Sequence, residues 1–309
     1  MEFKHEPVML QECIEGLNIH PDGIYVDGTL GGAGHSLEIV KKLSTKGRLI
    51  GIDRDGDALI AAKKRLAEYK NVTYVHGNHD EIQSILENLN IEKVDGILLD
   101  LGVSSYQLDE RSRGFSYMGD SPLDMRMDTS KGVTAKKIVN EYSEEKLAKI
   151  LWKYGEEKFS RQIAKNICKM RREKEIQTTK ELVEIIESTI PKSSQKDGHP
   201  AKRTFQAIRI EVNDEIEPLY QTVIQSVHCL NEGGRLVVIT FHSLEDRAVK
   251  EAMTELQGKC TCPKDLPYCI CGCQSFGKVV NKKPIVAEKE EQIRNSRSKS
   301  AKVRIFERK

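Results

Sequence analysis

The sequence predicts an α/β fold, a doubly wound and mostly parallel sheet with an inserted helical domain. Short apolar runs alternate with amphipathic helical segments over roughly the first 100 residues, as in parallel sheets covered by helices on both faces. Three of these runs end in an acid, at Asp27, Asp53 and Asp100. From about Asp109 the alternation is replaced by helical periodicity, and a strand pattern returns at Arg235.

A glycine-rich loop, residues 28–34, follows the first predicted strand and reads G-T-L-G-G-A-G. Glycine permits positive φ and close approach of a ligand, and the helix predicted to open at Ser36, which could cap it, would offer unpaired N–H groups. The spacing departs from the dinucleotide pattern G-x-G-x-x-G, because Leu37 stands where the third glycine is needed. The loop therefore predicts a different nucleotide site, with a tight turn that serves only packing as the alternative.

Asp27, at the end of the first strand, narrows the choice of nucleotide. A carboxylate there would repel a pyrophosphate but attract a ligand that carries an ammonium and a sulfonium. This favours S-adenosylmethionine, and the pattern D-G-x-x-G-G-x-G that begins at Asp27 resembles the first motif of Rossmann-like methyltransferases. Asp53 lies nineteen positions beyond Gly34, close to the ~20 at which a second-strand carboxylate binds a ribose diol. A cap on the helix that begins near Asp55 is the alternative role for Asp53.

The acids at the strand ends are expected to meet, because ligands of doubly wound sheets bind outside the carboxyl ends of the strands. Asp27, Asp53 and Asp100 should then lie along one edge. His79 follows the third strand, in a loop that commonly forms one wall of an adenine pocket, so its ring is a candidate to stack on the base. An ordinary polar loop residue is the alternative for His79.

Three segments are predicted: residues 1–108 and 206–309 as the two parts of the sheet domain, and 109–205 as an inserted helical substrate-recognition domain. The polar face of the middle helix of the insertion is predicted to carry six basic residues: Lys158, Arg161, Lys165, Lys169, Arg171 and Arg172. The C-terminal tail from Arg294 to Lys309 has seven basic residues and one acid, a local net charge of +6. Nucleic-acid phosphates are the expected partner of both, with a solvated surface as the alternative.

Composition limits the remaining possibilities. A net charge of +2 over 309 residues means that any basic surface is local. No run approaches the ~18 apolar residues of a membrane span, which predicts a soluble, cytoplasmic protein without a membrane partner. Five of the eight cysteines lie between Cys260 and Cys273 as C-x-C-x6-C-x-C-x-C, a pattern that offers either a zinc site or reduced thiols. No metal ligand is assigned.

Several long and unusual motifs resemble one family, the bacterial 16S ribosomal-RNA cytosine-N4 methyltransferases. The resemblance spans nearly the whole chain and is carried by residues 5–10, the glycine loop, and residues 95–105, 113–116, 122–128, 199–213, 241–247 and 295–304. It implies a Rossmann-like class I methyltransferase fold and methyl transfer from S-adenosylmethionine to the exocyclic amine of a cytosine in the decoding region. The implied partner is 16S rRNA, within the small ribosomal subunit.

The resemblance also implies which residues contact the cofactor. They are Gly32, Ala33, Gly34, His35, Asp53, His79, Asp100 and Gln107. His79 departs from the family, which usually has phenylalanine at this position, so the purine would lose apolar contact there.

Cytosine N4 is a weak nucleophile, so the enzyme must align it and accept a hydrogen bond as positive charge develops. Asp100, or otherwise Asp124, is the predicted catalytic acceptor, with Ser104 or Ser105 as positioning groups. Arg203 and Arg209 are predicted phosphate clamps. Ion pairing within the protein is the alternative for Asp124 and for both arginines.

Two other functions fit the same residues. One is a non-catalytic RNA-binding assembly factor that retains the fold, and the other is an amino-methyltransferase that acts on another nucleic acid. The sequence does not determine the oligomeric state.

Overall fold

The computed structural model describes residues 7–195, 198–258, 262, 266, 268 and 273–309. The chain forms two compact units, one built from the segments up to Gly102 and from Ile216 onward, the other from Val103–Glu215. The boundaries predicted from the sequence, after residues 108 and 205, both fall inside the second unit. Residue 205 lies within a continuous helix, Lys202–Asn213, so the chain leaves the helical unit only after that helix ends.

The strands of the described residues form one sheet in the first unit: β1 (Ile24–Asp27), β2 (Arg48–Asp53), β3 (Val72–His76), β4 (Val94–Asp100), β5 (Leu230–Thr240), β6 (Gly277–Val279), β7 (Ile285–Val286) and β8 (Lys302–Arg308). Their order is β3-β2-β1-β4-β5-β8-β6, with β7 also paired to β8. The pairs from β3 through β5 are parallel, whereas β8 runs antiparallel to β5, β6 and β7. The predicted, mostly parallel sheet is confirmed.

The described helices are α1 (Leu10–Leu17), α2 (Gly34–Lys42), α3 (Gly56–Arg65), α4 (Ile82–Asn88), α5 (Ser105–Asp109), α6 (Ala135–Glu141), α7 (Glu144–Gly155), α8 (Ser160–Glu173), α9 (Thr179–Thr189), α10 (Lys202–Asn213), α11 (Leu219–His228), α12 (Ser243–Leu256) and α13 (Lys289–Arg294). The first four and the last three belong to the sheet unit, and α5 to α10 belong to the helical unit. None of the helices in the described part of the chain is long and apolar enough to span a membrane.

The core of the sheet unit has two layers, one on each face of the sheet. Neighbouring residues of a central strand point to opposite faces, so Ile97 packs with α4, α11 and α12, whereas Leu98 packs with α1, α2 and α3. Because both faces are covered, the central strands are nearly all apolar, which is why the sequence showed continuous apolar runs.

The second unit is built from amphipathic helices whose apolar sides face each other. Leu147 and Leu151 of α7 and Ile163 and Ile167 of α8 are almost fully buried. Burying each such side chain contributes about 1.5–3 kcal/mol. Side-chain oxygens cap the starts of α6, α7 and α9, as where Thr178 accepts a hydrogen bond from the Glu181 N–H of α9. The helical periodicity that the sequence shows in this segment is confirmed.

Candidate active site at the carboxyl edge of the parallel strands

Three aspartates end three adjacent parallel strands. Asp27, Asp53 and Asp100 are the last residues of β1, β2 and β4, which neighbour one another in the order β2-β1-β4. The strands run in one direction, so all three carboxyl groups lie at the same edge of the sheet. The predicted convergence of the three acids is therefore confirmed.

The glycine loop ties the three acids together through its backbone and Thr29. The N–H of Thr29 donates to Asp27 Oδ1 at 3.2 Å, and its hydroxyl accepts a hydrogen bond from the Asp100 N–H at 2.6 Å. The N–H of Gly31 donates to Asp53 Oδ2 at 2.7 Å. The glycine loop thus contacts the ends of three strands, so the three acids belong to one site.

The glycines of the loop serve different purposes. A Cβ at Gly28 would lie 2.5 Å from Leu99 Cδ2, and a Cβ at Gly34 would lie 2.3 Å from Pro7 Cγ, so these two positions serve close packing. Gly31 has a φ of +49°, which favours glycine. A Cβ at Gly32 would meet nothing within 4 Å, so the backbone there is open. Packing explains part of the loop but leaves Gly32 available to a ligand.

Helix α2 begins two residues earlier than predicted. It starts at Gly34, after Ala33 in the left-handed conformation, rather than at Ser36. Ser36 lies inside the first turn of α2, and its hydroxyl donates to Asp27 Oδ2 at 2.7 Å. The predicted cap is wrong, because a capping residue precedes the first turn of its helix.

Asp53 does not take the alternative role of a helix cap. The residue before α3 is Asp55, which accepts a hydrogen bond from the Asp57 N–H at 3.1 Å. Asp53 accepts hydrogen bonds from the N–H groups of Gly31 and Asp55 instead. Burial raises the pKa of Asp53 although both N–H groups oppose the shift.

Asp100 is the most perturbed acid of the edge. Burial, followed by the charges of Asp27 and Glu245, raises its pKa to about 8. Its Oδ1 is buried, and no hydrogen-bond donor for that oxygen is found among the residues that the structure describes. Burial likewise raises the pKa of Asp27 to about 6, against the hydrogen bonds of Ser36 and Thr29. Asp100 is therefore mostly neutral at pH 7.

His35 reinforces the neutral form of Asp100. Its Nε2 lies 3.0 Å from the carbonyl oxygen of Val8, which can only accept, so Nε2 carries the proton of the ring. Nδ1 then presents a lone pair to Asp100 Oδ2 at 3.7 Å. Burial lowers the pKa of His35 to about 4, so the ring stays neutral and offers no positive charge to stabilise a carboxylate.

His79 lies beside the glycine loop. It opens a short 3₁₀ helix, His79–Glu81, and a Cβ at Gly28 would lie 3.3 Å from its Cβ. Burial, with the charge of Arg54 as the second cause, lowers the pKa of His79 to about 3, so the imidazole is neutral. Its Nδ1 is buried and has no hydrogen-bond partner within the described ranges.

Glu245 belongs to the edge, although sequence reasoning did not single it out. The side chain is almost fully buried in the first turn of α12, and its Oε2 accepts hydrogen bonds from the N–H groups of Phe241 and His242. Its charge contributes to the raised pKa of Asp100. The available signal was the capping-box spacing of His242 and Glu245 at the predicted start of this helix.

The predicted residues of the helical unit have mostly structural partners. Gln107 is buried in a capping box, with its Oε1 accepting from the Ser104 N–H at 3.0 Å. Asp124 forms a two-pronged ion pair with Arg126, both contacts at 2.8 Å. These contacts favour the ion-pair alternative for Asp124.

The two predicted phosphate clamps differ. Arg209 forms a two-pronged pair with Glu215, both contacts at 2.9 Å. Arg203 is exposed at the start of α10. The ion-pair alternative therefore applies to Arg209, and Arg203 keeps its predicted role as a hypothesis.

The two predicted basic surfaces also differ. On α8 and its approach five of the six cations are exposed, whereas Arg171 is half-buried and donates to the Val139 carbonyl at 2.7 Å. Seven residues of the basic C-terminal tail, Lys302–Arg308, form strand β8 inside the sheet. Lys302 and Arg304 of β8 pair with Asp246 at 3.2 and 2.7 Å. The helical unit thus presents the more available cations.

The predicted cysteine cluster lies largely outside the described residues, which include only Cys262 and Cys273 of its five members. In the ranges that the structure does describe, no group of three or more histidines, cysteines or acids is placed to hold a metal ion.

The fold and the edge define a class of protein. The order 3-2-1-4-5, a glycine loop after β1, acids at successive strand ends and the antiparallel β8 inserted before β6 together define a class I methyltransferase fold. A family model described as the MraW methylase family matches residues 2–309. The chain belongs to this family, which confirms the resemblance inferred from the motifs.

Two relatives are similar over 99% of this chain and 99% of their own length. Both are named "Ribosomal RNA small subunit methyltransferase H" and come from Clostridium botulinum, one from strain Kyoto / Type A2 at 61% identity and one from strain 657 / Type Ba4 at 60%.

The raised pKa of Asp100 predicts how the free energy of unfolding depends on pH. Asp100 binds a proton more tightly when folded than when unfolded, so its contribution to stability falls as pH rises from about 4 to about 8. Between pH 6.5 and 8, Asp27, His35 and His79 still contribute to the pH dependence, but they do so in wild type and in Asp100→Asn alike, so the difference between the two proteins isolates Asp100. We expect wild-type protein to lose on the order of 1 kcal/mol across this window, and Asp100→Asn to lose much less.

Urea unfolding at several pH values measures this difference. Glu38→Gln, a change at a partly exposed acid of α2, should keep the wild-type slope. Equal slopes for wild type and Asp100→Asn would contradict the neutral state assigned to Asp100.

Proposed function

We propose that this protein transfers a methyl group from S-adenosylmethionine to the N4 amine of a cytosine in the decoding region of small-subunit rRNA. Family membership and the names of relatives that match over nearly their whole length support the reaction class and the RNA. The observation that carries the cofactor is the gathering of three carboxyl groups, one buried and two partly buried, around one glycine loop. The partner is 16S rRNA within the small subunit, which makes the cytoplasm the site of action.

The residues of the edge fit this cofactor. Two buried polar atoms, Asp100 Oδ1 and His79 Nδ1, have no partner in the described chain, and the backbone at Gly32 is open. A ligand with an adenine, a ribose and two cationic groups offers donors for such atoms. Gly32, Ala33 and Gly34 would hold it through their backbone, Asp53 would accept from the ribose hydroxyls, and His79 would lie against the base. His35 would act by orienting Asp100, and Gln107 is proposed as a contact from the helical unit.

S-adenosylmethionine supplies an electrophilic methyl group on a sulfonium. The chain's contribution is to align N4 with the methyl carbon, so that a C–N bond forms as the S–C bond breaks and N4 then loses a proton. Asp100 would accept that proton in its ionised form, which a bound sulfonium favours, and a group whose pKa lies near the working pH is an effective acid–base catalyst. The target base must leave its stack, at a cost of a few kcal/mol when it is paired.

Product analysis tests the function. Protein, labelled S-adenosylmethionine and unmodified small subunits should give rRNA that contains N4-methylcytidine, identified by nucleoside mass. Naked 16S rRNA in a parallel reaction tests the need for the subunit. We expect Asp100→Asn to slow transfer by about 100-fold, since general acid–base groups contribute roughly 10²–10⁴.

The same assay separates the alternatives. RNA binding without any labelled product would favour a non-catalytic assembly factor. Label in another nucleic acid, with none in the rRNA, would favour a different amino-methyltransferase.

The ribose contact of Asp53 is testable with a pair of ligands. Calorimetry should show that S-adenosylhomocysteine binds wild type about tenfold more tightly than its 2′-deoxy analogue, because a hydrogen bond to a charged group contributes about 1.5–3 kcal/mol. In Asp53→Ala the difference between the two ligands should vanish, whatever the loss of overall affinity.

The control is Asp57→Ala, which removes an exposed carboxylate of the same helix start and should keep the ligand difference. A difference that persists in Asp53→Ala would place the ribose elsewhere.

The exposed cations of α8 are proposed RNA contacts. Reversing Lys165 and Lys169 to glutamate should weaken binding to rRNA and flatten the dependence of log K on log salt, by about 0.7 for each lost phosphate contact to a single strand. Reversing Lys282 and Lys283, which are exposed in the sheet unit, is the matched control. Identical slopes in both double variants would exclude α8 from the interface.

A further inference from the structure

Glu245 is a fourth acid at the carboxyl edge, and its side chain is removed from water. It lies in the first turn of α12 and is only 1% exposed. Glutamate is almost never fully buried unless it is paired, because a carboxylate loses its hydration there. Specific contacts must therefore compensate for the burial of this side chain.

The contacts of Glu245 favour its ionised form. Its Oε2 accepts hydrogen bonds from the N–H groups of Phe241 and His242, at 2.7 and 3.2 Å. Its Oε1 lies 3.0 Å from Nε2 of His242. Nδ1 of the same ring accepts from the Glu245 N–H at 3.4 Å, so Nδ1 carries no proton and the ring hydrogen is on Nε2. All three neighbours of the carboxyl group bear a hydrogen, and such neighbours stabilise a carboxylate over a carboxylic acid.

The position of Glu245 brings its charge close to Asp100. Asp100 ends β4 and pairs with Ile239 of β5, and Phe241 follows two residues later. Oε2 of Glu245 binds the N–H of Phe241, whereas its Oε1 lies 3.7 Å from the place that a Cβ at Gly102 would take. Gly102 is two residues beyond Asp100. The carboxylate therefore lies between the two segments of chain that leave β4 and β5.

Four ionisable side chains of the sheet unit face Asp100: Asp27 of β1, Cys13 of α1, His35 of α2 and Glu245 of α12. Burial keeps His35 neutral, and burial together with the charge of Asp100 raises the pKa of the Cys13 thiol well above its usual value. Asp27 and Glu245 are thus the two that act on Asp100 by charge. Asp27 also holds the glycine loop, so Glu245 is the better position at which to test the effect of charge.

We propose that Glu245 is a positioning residue of methyl transfer, and that its fixed negative charge determines when Asp100 releases its proton. Asp100 would then keep the proton beside a neutral ligand and lose it beside a cationic one. This behaviour distinguishes S-adenosylmethionine, a sulfonium, from S-adenosylhomocysteine, the uncharged thioether that remains after transfer. The inference rests on the proposed function, because it gives Glu245 a role in the same reaction. A helix cap without electrostatic effect is the alternative.

Glu245→Gln removes the charge and keeps the cap, because glutamine also serves in a capping box. Calorimetry from about pH 6 to about pH 9 gives the affinities of both ligands, and groups that the ligands share cancel in the ratio of affinities. In wild type the preference for S-adenosylmethionine should rise with pH and become constant once Asp100 is ionised in both complexes. In Glu245→Gln it should become constant about one pH unit lower, since a like charge near Asp100 is gone.

A double variant shows whether Glu245 acts through Asp100. In an Asp100→Asn background, Glu245→Gln should leave the pH dependence of the ratio unchanged. Glu251→Gln, which neutralises an exposed acid of the same helix, is the matched control and should behave as wild type. Glu245→Ala should shift the ratio as Glu245→Gln does and should also lower stability, because it removes the cap.

Two outcomes overturn the inference. In one, the ratio becomes constant at the wild-type pH in both Glu245→Gln and Glu245→Ala. In the other, the shift persists in the Asp100→Asn background. Failure of the proposed function looks different, because wild type would bind both ligands and give no methylated cytidine.

Urea unfolding provides a test that needs neither ligand. Asp100 binds its proton more tightly when folded, so stability falls as pH rises toward about 8. Without the charge of Glu245 this fall should be complete at a lower pH, and Glu245→Gln should lose less stability than wild type between pH 6.5 and 8. An equal loss in the two proteins would also overturn the inference.

Discussion

The structure of the sheet unit depends on keeping three carboxyl groups together at a buried edge. Like charges in a poorly solvated place are unfavourable unless hydrogen bonds or protons compensate for lost water. Asp27 is compensated by Thr29 and Ser36, and Asp53 by two backbone N–H groups. Asp100 receives no comparable support and holds a proton instead. The edge is thus stable without a ligand, and Asp100 can release its proton when an external cation binds beside it.

This constraint accounts for much of the local architecture. The acids meet only because β1, β2 and β4 are adjacent and parallel, and that order requires helical crossovers that cover both faces of the sheet. The loop after β1 must turn tightly enough to present N–H groups to two of the acids. Gly31 and Ala33 adopt left-handed conformations there, and Gly34 passes against Pro7. Sheet order, loop and helix start therefore serve one electrostatic arrangement.

The features predicted correctly from sequence are those that repeat along the chain. The alternation of apolar runs and helical segments predicted the parallel sheet. The acids that end three of these runs predicted that their carboxyl groups meet at one edge of the sheet. The errors concern partners that are distant in sequence. The cations of β8 were assigned to nucleic-acid phosphates, because nothing in their local pattern indicates that Asp246, more than fifty residues earlier, pairs with Lys302 and Arg304. Ser36 was interpreted as a cap because its local pattern does not show that α2 begins at Gly34 or that the hydroxyl donates to Asp27.

The small net charge of +2 conceals two opposite local environments. Acids gather at the edge of the sheet unit, whereas exposed cations lie along α7 and α8 of the helical unit. Such a division suits an enzyme that must bind a cationic donor and a polyanionic substrate. A permanently ionised edge would attract the substrate's counterions and repel its phosphates over a distance of about 8 Å at physiological ionic strength. While Asp100 holds a proton, the edge carries less negative charge and repels the phosphates of the substrate less. The full negative charge develops only when a cationic ligand binds.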